Sequence, residues 1–143
     1  MNGERAEDGS GPGAGGPDPG SGIRHGSTRI VRFDGEEAPE TGILHLPHTA
    51  APAGGYPVVA FGHMTTGGSP RSAPSLGHPG HPEWRRMSQG DALCDHLLRR
   101  GIAVLRPDYP GIGGPGVHPY LLGRPLGGSL RAMVRARRTL DDR

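Results

Sequence analysis

The chain has 143 residues, of which 27 are Gly and 16 are Pro, and only 32% are hydrophobic and 4% aromatic. Together Gly and Pro make up about 30% of the chain, a level typical of low-complexity sequence, so a large core spanning the whole length is not expected. The sequence has no Gly-X-Y period and no apolar run near the ~18 residues of a membrane span, which excludes collagen and a transmembrane helix. A single cysteine, Cys94, excludes a disulfide scaffold, and the formal net charge is +2.

The first 27 residues predict a disordered Gly/Pro-rich tail. Residues 1–22 contain no Leu, Ile, Val or aromatic side chain, so nothing there offsets the entropy lost on ordering. The segment also has no basic start followed by an apolar stretch, so no secretory signal is predicted and a cytoplasmic location is the default expectation. We expect ordered structure to begin near Thr28.

Two segments after the tail have the composition of strands. Thr28–Phe33 is rich in β-branched and aromatic residues and is followed by the turn pair Asp34-Gly35. Gly42–Leu46 is a second apolar segment, which Pro47 stops. The spacing predicts that the two pair as antiparallel edge strands.

The middle of the chain predicts a βαβ unit. Val58–Phe61 is an unbroken apolar run, which is typical of a strand buried on both faces of a parallel sheet. A helix is predicted from Ser88 to Gly101, and the strand Ile102–Leu105 follows at once. Such a unit implies a right-handed parallel crossover. A further helix is predicted over 126–140.

The predicted helix after Ser88 has recognisable ends. Ser88 and Asp91 are spaced as in a capping box. Leu93 and Leu97 stand four residues apart and predict its apolar face. Gly101 is placed to end the helix.

Three blocks in the right order carry a family resemblance. The segment from Tyr56 to Leu140 resembles the first half of an α/β-hydrolase and, more narrowly, the secretory lipase (lipase A-like) family. The family reads approximately V-V-x-x-x-H-G-T-T-G, then C-A-P-S, then G-Y-A-V-x-x-x-D-Y-x-G-L-G-T-P-G-x-H-P-Y-L-V-G. The matching blocks here are Val58–Gly67, Ser72–Ser75, and Arg99–Gly113 continued by Pro115–Gly123.

The resemblance implies a mostly parallel sheet flanked by helices and the hydrolysis of carboxylic esters by a serine nucleophile, without a cofactor. In this family the nucleophile stands in a later G-x-S-x-G elbow, followed by Asp and His. The nearest match, Gly127–Arg131, lacks the last Gly and has no strand before it, and its Ser129 is predicted to be helical. No catalytic Ser, Asp or His is therefore assigned to this chain.

The expected domain is accordingly residues 28–143, the N-terminal part of an α/β-hydrolase truncated before the nucleophile elbow. Such a chain would be inactive alone and would take an ester or lipid substrate only when completed. The resembled family is secreted, in contrast to the location predicted from the first residues.

The resemblance also implies one catalytic element, the oxyanion-hole loop at His63, Met64 and Thr65, whose backbone N–H groups would face a developing oxyanion. Met64 stands where the family usually has Gly, and it would be strained if that position needs a positive φ. A structural loop is implied further along the chain, at Asp108, Tyr109, Gly111, Gly113, His118 and Tyr120.

Other readings of the sequence remain open. The chain could instead be a non-enzymatic interaction module, or half of a split hydrolase that pairs through an open sheet edge at Val58–Phe61. His63, His78 and His81 fall short of a zinc site, so no metal is predicted. Cys94 is expected to be a buried, inert thiol. The basic run of Arg131, Arg135, Arg137 and Arg138 has no nucleic-acid-binding signature and is predicted to be a solvated helix face, so no nucleic-acid partner is expected.

Overall fold

The computed structural model describes residues 22–140. Most of the predicted tail, residues 1–21, lies outside the described residues. Residues 22–27 were assigned to the tail, but they are ordered because they contact the rest of the domain. Ile23 is buried, and Asp95 accepts hydrogen bonds from the backbone N–H groups of Arg24 and His25 at 2.6 and 2.8 Å.

The described chain forms a mixed α/β domain of four strands and three helices. In chain order the elements are β1 (Gly26–Asp34), β2 (Pro39–Pro47), β3 (Val58–Ala60), α1 (Trp84–Met87), α2 (Asp91–Leu98), β4 (Ala103–Pro107) and α3 (Gly123–Leu140). Two short 3₁₀ turns, Pro70–Ser72 and Pro74–Leu76, lie between β3 and α1. None of these helices is both long and apolar enough to cross a membrane.

The sheet has the strand order β1-β2-β4-β3. β3 and β4 are parallel, as the βαβ pattern predicts, but β2 is antiparallel to both β1 and β4. The expectation of a mostly parallel sheet is therefore wrong for the described strands. Only four residues, 35–38, join β1 to β2, and a parallel crossover needs a dozen or more, so this pair can only be antiparallel.

The predicted pairing of the first two strands is confirmed, with Ile30 opposite Ile43. The turn between them is closed by a hydrogen bond from the Gly35 N–H to the Ala38 carbonyl at 3.1 Å. β1 begins at Gly26, two residues before the expected start. β2 is an internal strand rather than an edge strand, because β4 pairs with its other side.

Helices cover both faces of the sheet and create two apolar clusters. On one side α3 packs on the cluster of Phe33, Leu44, Leu105, Ala132 and Met133. On the other side α2 packs on the cluster of Ile23, Cys94, Leu98 and Val104. Neighbouring residues of a strand point to opposite faces, so β4 contributes Leu105 to the first cluster and Val104 to the second.

β3 lies at the edge of the sheet and is shorter than predicted. Its three residues are only partly buried, whereas the apolar run predicted a strand buried on both faces. Phe61 follows the strand and still donates its N–H to the Leu105 carbonyl at 2.8 Å. Within the described part of the chain, β4 is the neighbour of β3 on one side and no strand pairs with the other side.

The start of α2 differs from the predicted capping box. Ser88 instead follows α1, and its hydroxyl donates to the Trp84 carbonyl at 2.8 Å. Asp91, the expected partner of Ser88, is the first residue of α2 and turns inward. The apolar face is also rotated, since Leu93 is half exposed while Cys94 and Leu98 are buried. The predicted end at Gly101 is confirmed by its positive φ of 74°.

α3 has the predicted face but starts earlier than predicted, at Gly123 instead of residue 126. Met133 is fully buried, and Leu126, Leu130 and Val134 are partly buried beside it. Arg131 and Arg135 lie on the exposed face, where the pattern predicts them.

A buried ion pair joins α2 to β4. Arg106 is only 2% exposed, and its Nη1 lies 2.7 Å from Asp91 Oδ1. Its Nη2 donates to the Met87 carbonyl at 2.9 Å, and the guanidinium lies 5.4 Å from the centre of the Phe61 ring. The charge of Arg106 is therefore balanced and hydrogen-bonded, as a buried charge requires.

Breaking this pair should cost much more stability than breaking an exposed one. We expect Asp91→Asn to lower the free energy of unfolding by about 3–5 kcal/mol, because it leaves the Arg106 charge buried and unbalanced. The measurement is urea denaturation followed by circular dichroism. Glu83→Gln is the control, since it breaks the exposed Glu83–Arg86 pair and should cost at most about 1 kcal/mol. Equal, small losses in both variants would contradict this assignment.

Candidate functional site

The candidate site lies at the carboxyl ends of β3 and β4. These neighbouring strands are parallel, so the loop 62–68 after β3 and the segment after β4 meet at the same edge of the sheet. This edge is where sheets of this kind place their ligands.

Asp108 directly follows β4 and is completely buried. Its Oδ2 accepts hydrogen bonds from the hydroxyls of Thr41, at 2.6 Å, and Ser75, at 2.5 Å. Its Oδ1 accepts the Ser75 backbone N–H at 2.9 Å. The carboxylate thus joins β2, the second 3₁₀ turn and the end of β4, and these donors compensate for its burial.

His63 attaches the loop 62–68 to this centre. Its ring Nε2 lies 3.2 Å from the Asp108 carbonyl oxygen, and its Nδ1 lies 2.7 Å from the Met64 carbonyl oxygen. Burial lowers the pKa of His63, and the two carbonyl groups oppose this only in part. A neutral imidazole has one N–H, so it donates to one of these carbonyls at a time. Both ring nitrogens face backbone oxygens, which leaves neither placed as a general base.

Tyr109 packs against His63 in an unusual conformation. Its φ is 78°, in the left-handed region that non-glycine residues seldom adopt. Its ring centre lies 4.4 Å from that of His63, and its hydroxyl donates to the His63 carbonyl at 3.4 Å. Burial raises the pKa of this hydroxyl. The sequence carried no signal for this backbone conformation, because an L side chain here is an exception to the local rules.

Between two anchored residues, the loop exposes Met64 and Thr65. His63 holds one side, and buried Thr66 holds the other by donating its hydroxyl to the Ser72 carbonyl at 2.7 Å. Among residues 22–140, no acceptor is hydrogen-bonded to the backbone N–H of Met64 or Thr65. The φ of Met64 is not positive, so the strain expected from replacing the family's Gly is absent.

A small cavity lies beside the first part of this loop, up to Met64. Its volume is about 220 Å³, and its walls include Phe61, Gly62, His63, Met64 and Arg106. Ligand pockets commonly measure about 300–1,000 Å³, so this space fits only a small group. The Nε of Arg106 has no hydrogen-bond partner among the described residues.

The remaining residues of the predicted structural loop are arranged around Asp108. Gly111 and Gly113 both have a φ of 74°. A Cβ on Gly113 would lie 2.7 Å from Thr41 Oγ1 and 3.1 Å from Asp108 Oδ2, so a side chain would disturb the carboxylate network. The His118 Nδ1 lies 3.1 Å from the Pro110 carbonyl oxygen. Tyr120 is half exposed at the margin, with its ring centre 6.4 Å from that of His118.

The structure does not bring the other sequence candidates into this site. The rings of His78 and His81 lie 5.8 Å apart, and no group of three or more His, Cys, Asp or Glu residues within 22–140 is arranged to hold a metal ion. Ser129 lies inside α3, as predicted, and donates to the Pro125 carbonyl at 3.4 Å. Cys94 is fully buried, and desolvation raises the pKa of its thiol to about 11, which disfavours the reactive thiolate.

Sequence reasoning missed a buried histidine on β2. The Nδ1 of His45 lies 3.0 Å from the Thr28 hydroxyl, while its Nε2 has no partner in the described part of the chain. Burial, together with the nearby charge of Arg106, lowers the pKa of His45 to about 3. The ring is therefore neutral in the folded protein. His45 lies within the segment Gly42–Leu46, whose apolar residues predict a strand but give no signal for a buried histidine.

No protein-family model, curated protein or solved structure matches this chain. The geometry of the site and the motifs that resemble the lipase family are therefore the two grounds for a functional proposal.

The neutral state of His45 should make the protein sensitive to acid. Between pH 6.5 and about 3 the unfolded chain binds a proton at this position that the folded protein does not. His45 should therefore lower the free energy of unfolding as the pH falls through this window, by up to about 1.4 kcal/mol per pH unit.

Urea denaturation of the protein and of His45→Gln at several pH values measures this contribution. The free energy of unfolding of the variant, relative to that of the protein, should rise as the pH is lowered. His48→Gln, at an exposed position three residues after His45, is the control for replacing a histidine. A difference between the protein and His45→Gln that does not change from pH 7 to pH 4 would show that His45 is not buried as a neutral ring.

Proposed function

We propose that this chain supplies the oxyanion-hole part of a serine-dependent carboxylic ester hydrolase of the lipase or esterase type. The observation that carries the proposal is the pair of backbone N–H groups at Met64 and Thr65, two exposed residues held between buried His63 and Thr66, which have no acceptor among the described residues. The three motif blocks that resemble the secretory lipase family support the same chemistry. The substrate of the proposed hydrolase is an ester or lipid.

Ester hydrolysis places negative charge on the carbonyl oxygen when a serine attacks the carbonyl carbon. Two N–H donors at about 2.7–3.1 Å from that oxygen stabilise the charge, and fixed donors do so without reorganisation. In α/β-hydrolases one donor follows the nucleophile and the other comes from a loop such as 62–68. In this proposal Met64 or Thr65 gives the second donor, and the small cavity beside the loop receives the acyl group.

In this proposal the nucleophile comes from outside the described residues. The hydroxyls of Ser69 and Ser72 are hydrogen-bonded to each other at 3.2 Å. The hydroxyl of Ser75 donates to Asp108, that of Ser88 to the Trp84 carbonyl and that of Ser129 to the Pro125 carbonyl. None of these three hydroxyls donates to a histidine, so none is activated as a nucleophile.

The open side of β3 offers a position for the missing strand. An edge strand presents unpaired N–H and C=O groups, which pair readily with another strand. A strand added there and followed by a G-x-S-x-G elbow would end at the same edge of the sheet as the loop 62–68. The same open edge also supports the alternative function, a non-enzymatic module that pairs with a partner strand.

Assay of the purified chain, alone and co-expressed with the product of the reading frame that follows it, separates these functions. Alone, the chain should not hydrolyse p-nitrophenyl butyrate above the buffer rate, and a fluorophosphonate probe should not label it. A co-purified pair that hydrolyses the ester and is labelled on the second polypeptide supports the hydrolase. A pair that forms without activity supports the interaction module. Turnover by the chain alone that is lost on mutating one of its serines would falsify the proposal.

A substitution in the loop tests the donor directly in the active pair. Thr65→Pro removes one backbone N–H and should lower kcat by about 10²–10³-fold. Thr65→Ala is the matched control, because it shortens an exposed side chain at the same position and leaves both N–H groups, so kcat should stay within a few fold. Circular dichroism checks that both variants fold. Full activity in both Thr65→Pro and Met64→Pro would exclude this loop from the oxyanion hole.

A further inference from the structure

A second, larger cleft lies away from the loop 62–68. Its volume is about 520 Å³, and it opens between the β1–β2 turn, the segment after β4 and the start of α3. Its walls combine acidic and apolar side chains, including Glu36, Glu37, Glu40, Tyr109, Val117 and Leu122. The volume is within the range of sites for small organic ligands.

The carboxylate of Glu40 is buried in the wall of this cleft and is only partly satisfied. Glu40 is 6% exposed, and its Oε2 has no hydrogen-bond partner among residues 22–140. Gly35 makes room for it, since a Cβ there would lie 2.8 Å from the Glu40 Cδ. Burial raises the pKa of Glu40, the Ser129 hydroxyl opposes this, and the charges of Glu36 and Asp108 add to the increase. A buried carboxylate oxygen without a donor is costly, so a ligand that supplies one gains affinity.

The charges around the cleft are mainly negative. Glu36 is paired with Arg131 at 3.0 Å on the surface, and Glu37 is exposed. Arg124 is the one cationic side chain among the residues that line the described cleft. With Arg131 counted as the partner of Glu36, three carboxylates face two guanidiniums, and this net negative charge favours a cation over an anion.

The remaining walls favour a ligand with an apolar body. Val117 is 90% exposed and Leu122 is 59% exposed, which leaves apolar surface in contact with water at the mouth of the cleft. The carboxylates do not form a metal-holding group within the described residues. An organic cation suits these walls better than a metal ion, because it satisfies the charge and covers the apolar surface together.

We propose that this cleft binds an organic cation, a primary ammonium group carried on an apolar body, with Glu40 Oε2 as the buried acceptor of its N–H. The site is independent of the proposed ester hydrolase, so either proposal can fail without the other.

The probe for this site is benzylamine, titrated into the ¹⁵N-labelled protein at about pH 8, well above the ordinary pKa of about 4.3 of a Glu carboxyl. We expect saturable shifts of backbone amides around the β1–β2 turn and residues 110–117. Benzyl alcohol, which has the same shape without the charge, should bind at least about tenfold more weakly. Equal binding of the two ligands, or no saturable shift with benzylamine at millimolar concentration, would overturn the proposal.

Two variants test the role of Glu40 itself. Glu40→Gln should weaken benzylamine binding by about tenfold or more, because the amide keeps the shape and removes the charge. Glu83→Gln, on the exposed surface at the start of α1, is the matched control and should bind as the protein does. Unchanged affinity in a folded Glu40→Gln also contradicts the proposal. If Glu40→Gln does not fold, the comparison of benzylamine with benzyl alcohol on the unmodified protein decides whether the cleft binds an organic cation.

Discussion

The buried carboxylate of Asp108 is the interaction on which the rest of the candidate site depends. A carboxylate without solvent is unstable unless donors surround it, and here Thr41 and Ser75 provide three hydrogen bonds. These donors come from segments that are far apart in the chain. Burying the carboxylate therefore requires β2, the second 3₁₀ turn and the end of β4 to take one fixed arrangement.

The position of the loop 62–68 follows from this arrangement. The backbone carbonyl of Asp108 faces the His63 ring, and Tyr109, the next residue, packs on the same ring in a left-handed conformation. Such a conformation costs on the order of 1–3 kcal/mol and persists only where its surroundings impose it. The N–H groups of Met64 and Thr65, which have no acceptor within residues 22–140, thus belong to an anchored loop. Fixed donors of this kind are what an oxyanion hole needs.

Two neighbouring residues of β2 belong to different parts of the molecule, Thr41 to the hydrogen bonds around Asp108 and Glu40 to the wall of the larger cleft. Glu40 and Thr41 point to opposite faces of the sheet, as successive strand residues must. Thr41 donates to the fully satisfied carboxylate of Asp108, whereas Glu40 has an oxygen without a partner among the described residues. The Asp108 carboxylate therefore holds segments of the fold together, whereas Glu40 is the acceptor in the proposed cation site.

Much of the secondary structure could be predicted from the sequence, because it depends on local patterns. The hairpin, the βαβ unit, the end of α2 at Gly101 and the apolar face of α3 all follow from turn residues and periodicity. The antiparallel pairing of β2 with β4 could not be predicted, since it joins segments about 60 residues apart without a local signal.

Like the pairing of β2 with β4, the roles of the buried polar residues could not be predicted from sequence patterns. Asp91 was interpreted as a helix cap, but it balances the charge of Arg106, which lies within an apolar strand. His45 and Glu40 likewise occupy buried strand positions that periodicity assigns to apolar or exposed residues. The position of His63 beside a sheet edge followed from the motif, but its contact with the Asp108 carbonyl depends on tertiary structure.

Backbone ¹⁵N heteronuclear NOE values for Met64 and Thr65 measure whether the Asp108 carboxylate holds the loop 62–68 in place. In the protein these values should approach those of the sheet, because the loop is anchored on both sides. In Asp108→Asn the amide group faces the Thr41 and Ser75 donors with only one acceptor oxygen, so the values should fall clearly while those of β1 and β2 stay high. Low values in the unmodified protein, or equal values in both proteins, would show that the Asp108 carboxylate does not hold the loop in place.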